Sequence, residues 1–138
     1  MRAIRPIAIA IIEDRGRLLV FEGADRVNNR VYYRPLGGGI EGGELAADSV
    51  VREVREEIGA EIRVTKSLGV IENLFTLNGE SRHEIVFVFA ATLVDGAREQ
   101  YNAREADGSE MVVSWVALEE FRRGRVRLVP EGLLERLA

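Results

Sequence analysis

Residues 38–60 read GGIEGGELAADSVVREVREEIGA and join a glycine-rich segment to an amphipathic one. From Glu44 onward, apolar residues recur at spacings of three and four, which predicts an α-helix over residues 44–58. Gly59 follows at a position where glycine commonly ends a helix. The glycines before the helix, which include Gly37, Gly38 and Gly39, predict a loop whose backbone N–H groups are open to a ligand.

The charges of this predicted helix form a second pattern. Glu53, Glu56 and Glu57 are separated by three and four residues, so they share one patch of the helix surface. Such a patch is either a solvated face, neutralised by Arg52 and Arg55, or a site for a hard divalent cation. An adjoining glycine segment able to receive a phosphate favours the cation site, with Mg²⁺ or Mn²⁺ as the ion.

The same residues resemble the Nudix box, G-x5-E-x7-R-E-U-x-E-E-x-G-U, where U is a bulky apolar residue. Every charged and glycine position of that pattern is matched between Gly38 and Gly59. Ala60 departs from it, because the pattern prefers a larger apolar residue at the last position. Leu36 is a second departure, since the family commonly has proline directly before the paired glycines and Pro35 comes one residue earlier.

The resemblance implies a metal-dependent hydrolase of diphosphate linkages and assigns roles to box residues. Glu53, Glu56 and Glu57 are implied to bind Mg²⁺ or Mn²⁺, and Arg52 to orient these acids. Glu44 is implied to support the junction of loop and helix, or water at the metal. Glu56 and Glu57 are both candidates for the general base.

Residues outside the box complete the predicted site. A further loop acid often joins the metal ligands in this family, and Glu110 is the first candidate, followed by Glu105 and Glu84. Arg34 lies just before the glycines and can reach a phosphate. His83, the only histidine, fits a hydrogen-bonded position near a strand end better than a catalytic role.

The rest of the chain predicts a single domain over residues 1–138. Strands are expected at residues 4–12, 17–22, 31–34, 61–74, 85–93 and 111–116, with short helices at residues 118–123 and 131–137. Residues 95–109 form a charged loop. This order indicates a mixed α/β (α+β) domain, and the Nudix resemblance implies a mixed β-sheet sandwiched between helices.

Composition excludes several classes of protein. The absence of cysteine rules out disulfides and thiolate chemistry and fits a cytoplasmic location, and it also weighs against a Nudix-type isopentenyl diphosphate isomerase. The net charge of −4 argues against binding a nucleic acid polymer. The longest apolar runs are shorter than the roughly 20 residues that cross a bilayer, so no membrane association is expected.

The expected substrate is a small phosphoanhydride, either a nucleoside diphosphate derivative or a (deoxy)nucleoside triphosphate. Phe75 stands where the ADP-ribose-cleaving group tends to have proline and the dinucleoside-polyphosphate group tyrosine, so it supports neither. The alternative is a nucleotide-binding sensor or regulator of the same fold without turnover; such proteins usually lose box acids, which this chain keeps. Many members of the family form dimers, so a homodimer is also considered.

Overall fold

The computed structural model describes residues 3–137. Its elements are β1 (Arg5–Asp14), β2 (Arg17–Asp25), β3 (Arg30–Gly39), α1 (Ala46–Ile58), β4 (Ile62–Leu77), β5 (Glu80–Leu93), β6 (Ala103–Arg104), β7 (Glu110–Met111), β8 (Val113–Ala117) and α2 (Leu118–Arg122), followed by a 3₁₀ turn at Leu134–Arg136. Six of the strands form one sheet in the order β4-β5-β1-β3-β2-β8, and β6 pairs with β7 separately.

Strand β1 lies inside the sheet, between a parallel neighbour, β5, and an antiparallel neighbour, β3. It runs parallel to β5 from Arg5, opposite Glu84, to Ile12, opposite Ala91. On its other side it pairs antiparallel with β3, where Ile9 is opposite Gly37. Its apolar residues from Ile7 to Ile12 are all buried, as expected of a strand covered on both faces.

The two faces of the sheet bury two separate apolar clusters. Alternate β1 residues such as Ala8 and Ala10 pack with Val50 and Val54 of α1. The intervening residues of β1 face a cluster that includes Phe121 of α2 and Leu133 near the C-terminus. The predicted fold class is therefore confirmed, because a mixed sheet lies between α1 on one face and α2 with the C-terminal segment on the other.

The glycine segment is strand where the sequence analysis predicted loop. The short strand expected at residues 31–34 continues to Gly39, and Pro35 does not interrupt it. The sheet overrides the local preference of these residues, because Gly37, Gly38 and Gly39 lie opposite Ile9, Ala8 and Ile7 of β1. The connection to α1 begins only at Ile40, and the helix begins at Ala46, two residues later than predicted.

Gly37 is required at its position by the close approach of β1. Its φ is +149°, and a Cβ added there would lie 2.0 Å from the carbonyl oxygen of Ala8. Only glycine permits both the backbone conformation and the contact. The end of β3 therefore passes beside β1 without side chains. The backbone of Gly37, Gly38 and Gly39 is exposed on the side that faces α1.

The other predicted elements are present in the structure but mostly have different lengths. Strand β5 begins at Glu80, five residues earlier than predicted, because Asn78 and Gly79 form a tight turn with positive φ angles of 53° and 80°. The loop over residues 95–109 contains the short strand β6. The expected C-terminal helix is reduced to the 3₁₀ turn at Leu134–Arg136. Within residues 3–137, no helix has the length and apolar character needed to cross a membrane.

Candidate active site

A cleft of about 350 Å³ lies where α1 faces the glycine end of β3. Its walls come from β1, β3, α1 and the β6–β7 hairpin. The lining residues are Arg5, Ile7, Ile9, Phe21, Arg34, Gly37, Gly38, Gly39, Glu53, Glu56, Glu57, Arg104, Glu105, Ala106 and Met111. The structure thus brings together the three α1 acids and the three glycines that the sequence analysis singled out.

Glu57 is the most enclosed of the three acids. Burial raises the pKa of its carboxyl group to about 8, opposed by a hydrogen bond that the backbone N–H of Gly37 donates. This bond joins Gly37 N to Glu57 Oε1 at 3.0 Å. The negative charges of Glu53 and Glu105 raise the same pKa further, whereas the positive charge of Arg34 lowers it.

Glu53 lies beside Gly38, and the absence of a side chain there makes room for its carboxylate. A Cβ added to Gly38 would come within 2.5 Å of Oε2 of Glu53. Burial raises the pKa of Glu53, while the nearby charges of Arg52 and Arg5 oppose that rise. Two partly buried carboxyl groups with raised pKa values therefore face one cleft.

Arg52 holds the acids of the site together. Its Nε donates to Oε2 of Glu44 at 2.7 Å, and its Nη1 donates to Glu53 at 3.1 Å and to Glu56 at 3.2 Å. Its Nη2 donates to the carbonyl oxygen of Gly39 at 3.2 Å. One guanidinium group therefore connects α1, the segment before it and the end of β3.

Glu44 lies at the junction between the glycine segment and α1. Hydrogen bonds from Arg52 and then from the backbone N–H of Glu41 lower the pKa of Glu44 to about 2. The N–H of Glu41 donates to Oε1 of Glu44 at 3.1 Å. This position suits the first of the two roles implied for Glu44, the support of the junction.

The three candidate loop acids have different surroundings. Glu105 lines the cleft, whereas Glu110 lies on β7, is exposed and is not among the lining residues. Glu84 is buried and forms an ion pair with Arg34, in which Oε1 of Glu84 lies 2.7 Å from Nη2 of Arg34. The structure therefore places Glu105 closer to the α1 acids than Glu110, the first choice from sequence, because the hairpin turns residue 105 toward the cleft.

Arg5 and Arg104 line the cleft although the sequence analysis did not select them. Arg5 begins β1, and the pairing of β1 with β3 brings its guanidinium over Gly39. Nothing local in the sequence marks Arg5, because its place depends on a strand pairing between residues more than thirty positions apart. The position of Arg104 in the cleft depends on the path of the β6–β7 hairpin, because Arg104 lies on β6.

A second pocket of about 340 Å³ adjoins the cleft and shares Arg5 and Arg34 with it. Its lining residues are Arg5, Asp25, Tyr32, Arg34, Asn73, Leu74, Phe75, Thr76, Leu77, Arg82, Glu84, Arg127, Val129, Pro130 and Glu131. The aromatic rings of Tyr32 and Phe75 are therefore in one pocket. His83 lies on β5 and lines neither the cleft nor this pocket.

Two other aromatic residues, Trp115 and Tyr33, line neither cavity and contribute to packing. Trp115 donates a hydrogen bond from Nε1 to the carbonyl oxygen of Arg98 at 2.7 Å, and Arg17 lies over its ring. Tyr33 packs edge-on against Phe121, with ring centroids 6.2 Å apart.

The donor set of the cleft fits a hard divalent cation. Three carboxylates line the cleft, and burial raises the pKa values of Glu53 and Glu57 because it disfavours their charged forms. A bound divalent cation would stabilise those charged forms. Among residues 3–137, no three carboxylate or imidazole groups converge closely enough to form a finished ion site. Arg52 instead pairs with Glu53 and Glu56.

Comparisons with solved structures give the same fold. A Nudix hydrolase from Nitrosomonas europaea has a TM-score of 0.69 at 19% identity, with 98% of this chain and 86% of that chain covered. A MutT protein from Methanosarcina mazei Go1 also has a TM-score of 0.69, at 20% identity and with 98% and 91% covered. An ADP-ribose pyrophosphatase from Streptococcus suis 89-1591 has a TM-score of 0.55 at 17% identity, with 83% and 75% covered.

The family assignment comes from the sequence as a whole. No curated protein matches the chain. The family model described as the NUDIX domain matches residues 1–137, which is nearly the full length. Together with the complete box at residues 38–60 and the shared fold, this match shows that the chain belongs to the Nudix hydrolase family.

Proposed function

We propose that this Nudix protein is a metal-dependent hydrolase that cleaves the diphosphate linkage of a nucleoside diphosphate derivative or a (deoxy)nucleoside triphosphate. The observation that carries the proposal is the meeting of Glu53, Glu56 and Glu57 with the side-chain-free end of β3 in one cleft. Carboxylates suit a divalent cation, and bare backbone suits a phosphate. A diphosphate bound with its cation requires both.

Glu53, Glu56 and Glu57 are the residues that would hold Mg²⁺ or Mn²⁺. Glu105 is placed to join them from the β6–β7 hairpin, and Glu110 stays a prediction from sequence. When bound, a divalent cation neutralises charge on the diphosphate, orients it and lowers the pKa of the water that attacks phosphorus. The family generally uses divalent ions, which agrees with this donor set.

The protein's own groups position the reacting atoms. Arg34, held by its ion pair with Glu84, presents positive charge to the cleft beside the glycines. Arg52 keeps Glu53 and Glu56 oriented along one side of α1. As the water oxygen bonds to phosphorus and the bridging P–O bond breaks, a carboxylate accepts the water's proton. Glu56 and Glu57 are both candidates for that carboxylate.

The nucleotide character of the substrate is supported by the aromatic second pocket beside the cleft. The name of the Streptococcus suis neighbour agrees with a diphosphate substrate, although 17% identity shows the fold alone. A single domain over residues 1–138, with residues 1, 2 and 138 outside the described part, remains part of the proposal. A cytoplasmic location and a homodimer stay predictions.

A phosphate-release assay tests the proposal. The purified chain is offered nucleoside triphosphates, nucleotide sugars, ADP-ribose and dinucleoside polyphosphates with Mg²⁺, Mn²⁺ or EDTA, and phosphatases convert the products to inorganic phosphate. We expect turnover of at least one class, abolished by EDTA. Binding of nucleotides without turnover of any would contradict the proposal and support the sensor alternative.

A further inference from the structure

The cleft and the second pocket share two arginines, Arg34 and Arg5, and no motif marks Arg5. Arg5 lines both of them, and it begins β1 directly beside the end of β3. Its Nη2 lies 3.2 Å from the point that a Cβ on Gly39 would occupy. The guanidinium therefore covers the last glycine of β3, at the boundary between the two cavities.

The charge of Arg5 is available to a ligand. Arg34 and Arg127, which also line the second pocket, are paired with Glu84 at 2.7 Å and Glu131 at 3.4 Å. In contrast, no carboxylate oxygen of residues 3–137 comes within 4.0 Å of the Arg5 guanidinium, which is exposed. An exposed cation between two cavities, without a bound acid, is suited to a phosphate oxygen.

The second pocket is suited to a flat group that carries hydrogen-bond acceptors. Tyr32 and Phe75 contribute rings, and Phe75 is opposite Arg82 in the β4–β5 pairing. The Nε of Arg82 is buried and has no hydrogen-bond partner in the described part of the chain. The Nη2 atom of the same guanidinium lies 3.7 Å from Glu80. Because the Arg82 side chain is 32% exposed and lines the pocket, its guanidinium can donate to an acceptor on a bound ligand.

We propose that Arg5 is a substrate-binding residue: at the boundary of the two cavities it binds an oxygen of the diphosphate in the cleft, on the side from which a ring-bearing group extends into the second pocket. The inference rests on the proposed function and restricts its substrate class. The substrate is a nucleoside derivative whose diphosphate lies in the cleft and whose planar base lies in the second pocket. Phe75 and Arg82 contact the base side, and the α1 acids face the diphosphate side.

The test measures binding, so that it does not depend on turnover. The ligands are the α,β-methylene diphosphates of adenosine, guanosine, cytidine and uridine, together with ring-free methylenediphosphonate, titrated calorimetrically in Mg²⁺. The variants are Arg5→Ala, Arg5→Lys and Phe75→Ala. Arg63→Ala is the matched control, because Arg63 is exposed near the far end of β4 and lines neither cavity.

We expect at least one nucleoside analogue to bind more tightly than methylenediphosphonate. Arg5→Ala should weaken both kinds of ligand about tenfold, Arg5→Lys should recover part of the loss, and Arg63→Ala should change neither. Phe75→Ala should weaken the nucleoside analogue about tenfold and leave methylenediphosphonate within about twofold.

Two results would overturn the inference. One is an Arg5→Ala protein whose affinities for all ligands stay within about twofold of the wild type. The other is a wild type that binds no nucleoside analogue more tightly than methylenediphosphonate. Failure of the proposed function has a different signature, because the wild type would then turn over no substrate even while the binding differences persist.

Discussion

The backbone N–H of Gly37 donates a 3.0 Å hydrogen bond to Oε1 of Glu57, which joins the glycine end of β3 to α1. Gly37 has no side chain, and its φ of +149° is a backbone conformation that other residues rarely adopt. It fixes a buried carboxylate at the side of the cleft where a diphosphate would lie. The strand and the helix of the box therefore form one site.

Glu57→Gln should remove activity and leave the fold intact. Glutamine keeps an oxygen that accepts the Gly37 N–H, and it removes a charge whose burial raises the pKa of Glu57 to about 8. We expect turnover to fall about a hundredfold or more, as for loss of a catalytic carboxylate. The thermal midpoint of the metal-free protein should be equal to or above that of the wild type.

Glu56→Gln should also remove activity, because Glu56 lines the cleft beside the other two acids and 57% of its side chain is exposed to solvent, which leaves its carboxylate open to a cation. Circular dichroism and turnover of the best substrate check both variants. Full activity in the Glu56→Gln and Glu57→Gln proteins together would refute the assignment of the metal site.

Gly37→Ala should destabilise the protein strongly, whereas Gly42→Ala should not. The added methyl group would lie 2.0 Å from the carbonyl oxygen of Ala8 at position 37, but it meets nothing within 4 Å at position 42. We expect a loss of about 3 kcal/mol or more at Gly37, where β1 and β3 must separate. Urea unfolding measures both, and equal midpoints would contradict the account of Gly37.

Arg52→Lys should lower both activity and stability, because a lysine cannot reproduce the guanidinium contacts with Glu44, Glu53 and the Gly39 carbonyl. We expect a thermal midpoint lower by roughly 5 °C and turnover lower by about tenfold. Arg55→Lys is the control on the same helix, where Arg55 pairs with exposed Glu61. Equal changes of thermal midpoint and turnover in the two variants would show that Arg52 does not organise the site.

The pH dependence of stability should carry a contribution from Glu44. Its pKa is lowered from 4.5 to about 2 by Arg52 and the Glu41 N–H, so the folded state binds fewer protons than the unfolded state between these values. This contribution is present above pH 4.5 and is lost as the pH falls toward 2.

Urea midpoints at pH 3 and pH 6, in EDTA, measure the effect. The difference between the two midpoints should be smaller for Glu44→Gln than for the wild type. Glu72→Gln, which changes an exposed acid of β4, should keep the wild-type difference. An unchanged pH response in Glu44→Gln would contradict the role given to the Arg52 contact.

Helix α1 and the clustering of its acids were predictable because they depend on local periodicity. The three acids and the apolar stripe of Val50 and Val54 follow from a 3.6-residue repeat within fifteen residues of chain. The helix began at Ala46, close to the predicted Glu44. The resemblance to the Nudix family depends in part on the same residues, since most of the box lies in this stretch.

Strand pairing was the part that local sequence could not predict. Glycines at residues 37–39 favour a loop when considered alone, yet they are held in β3 by pairing with Ile7–Ile9 of β1. The same pairing brings Arg5 to Gly39, and no nearby residue signals it. Local sequence also could not predict which candidate loop acid lines the cleft, because this depends on the path of the β6–β7 hairpin.

The most direct measurement of the central claim is a metal titration of turnover in chelator-treated protein, with the best substrate from the phosphate-release panel. The account predicts no turnover in EDTA, saturable recovery with Mg²⁺ or Mn²⁺, and a strongly weakened recovery in Glu57→Gln. Turnover that persists in EDTA, or recovery that is the same in Glu57→Gln and wild type, would contradict it.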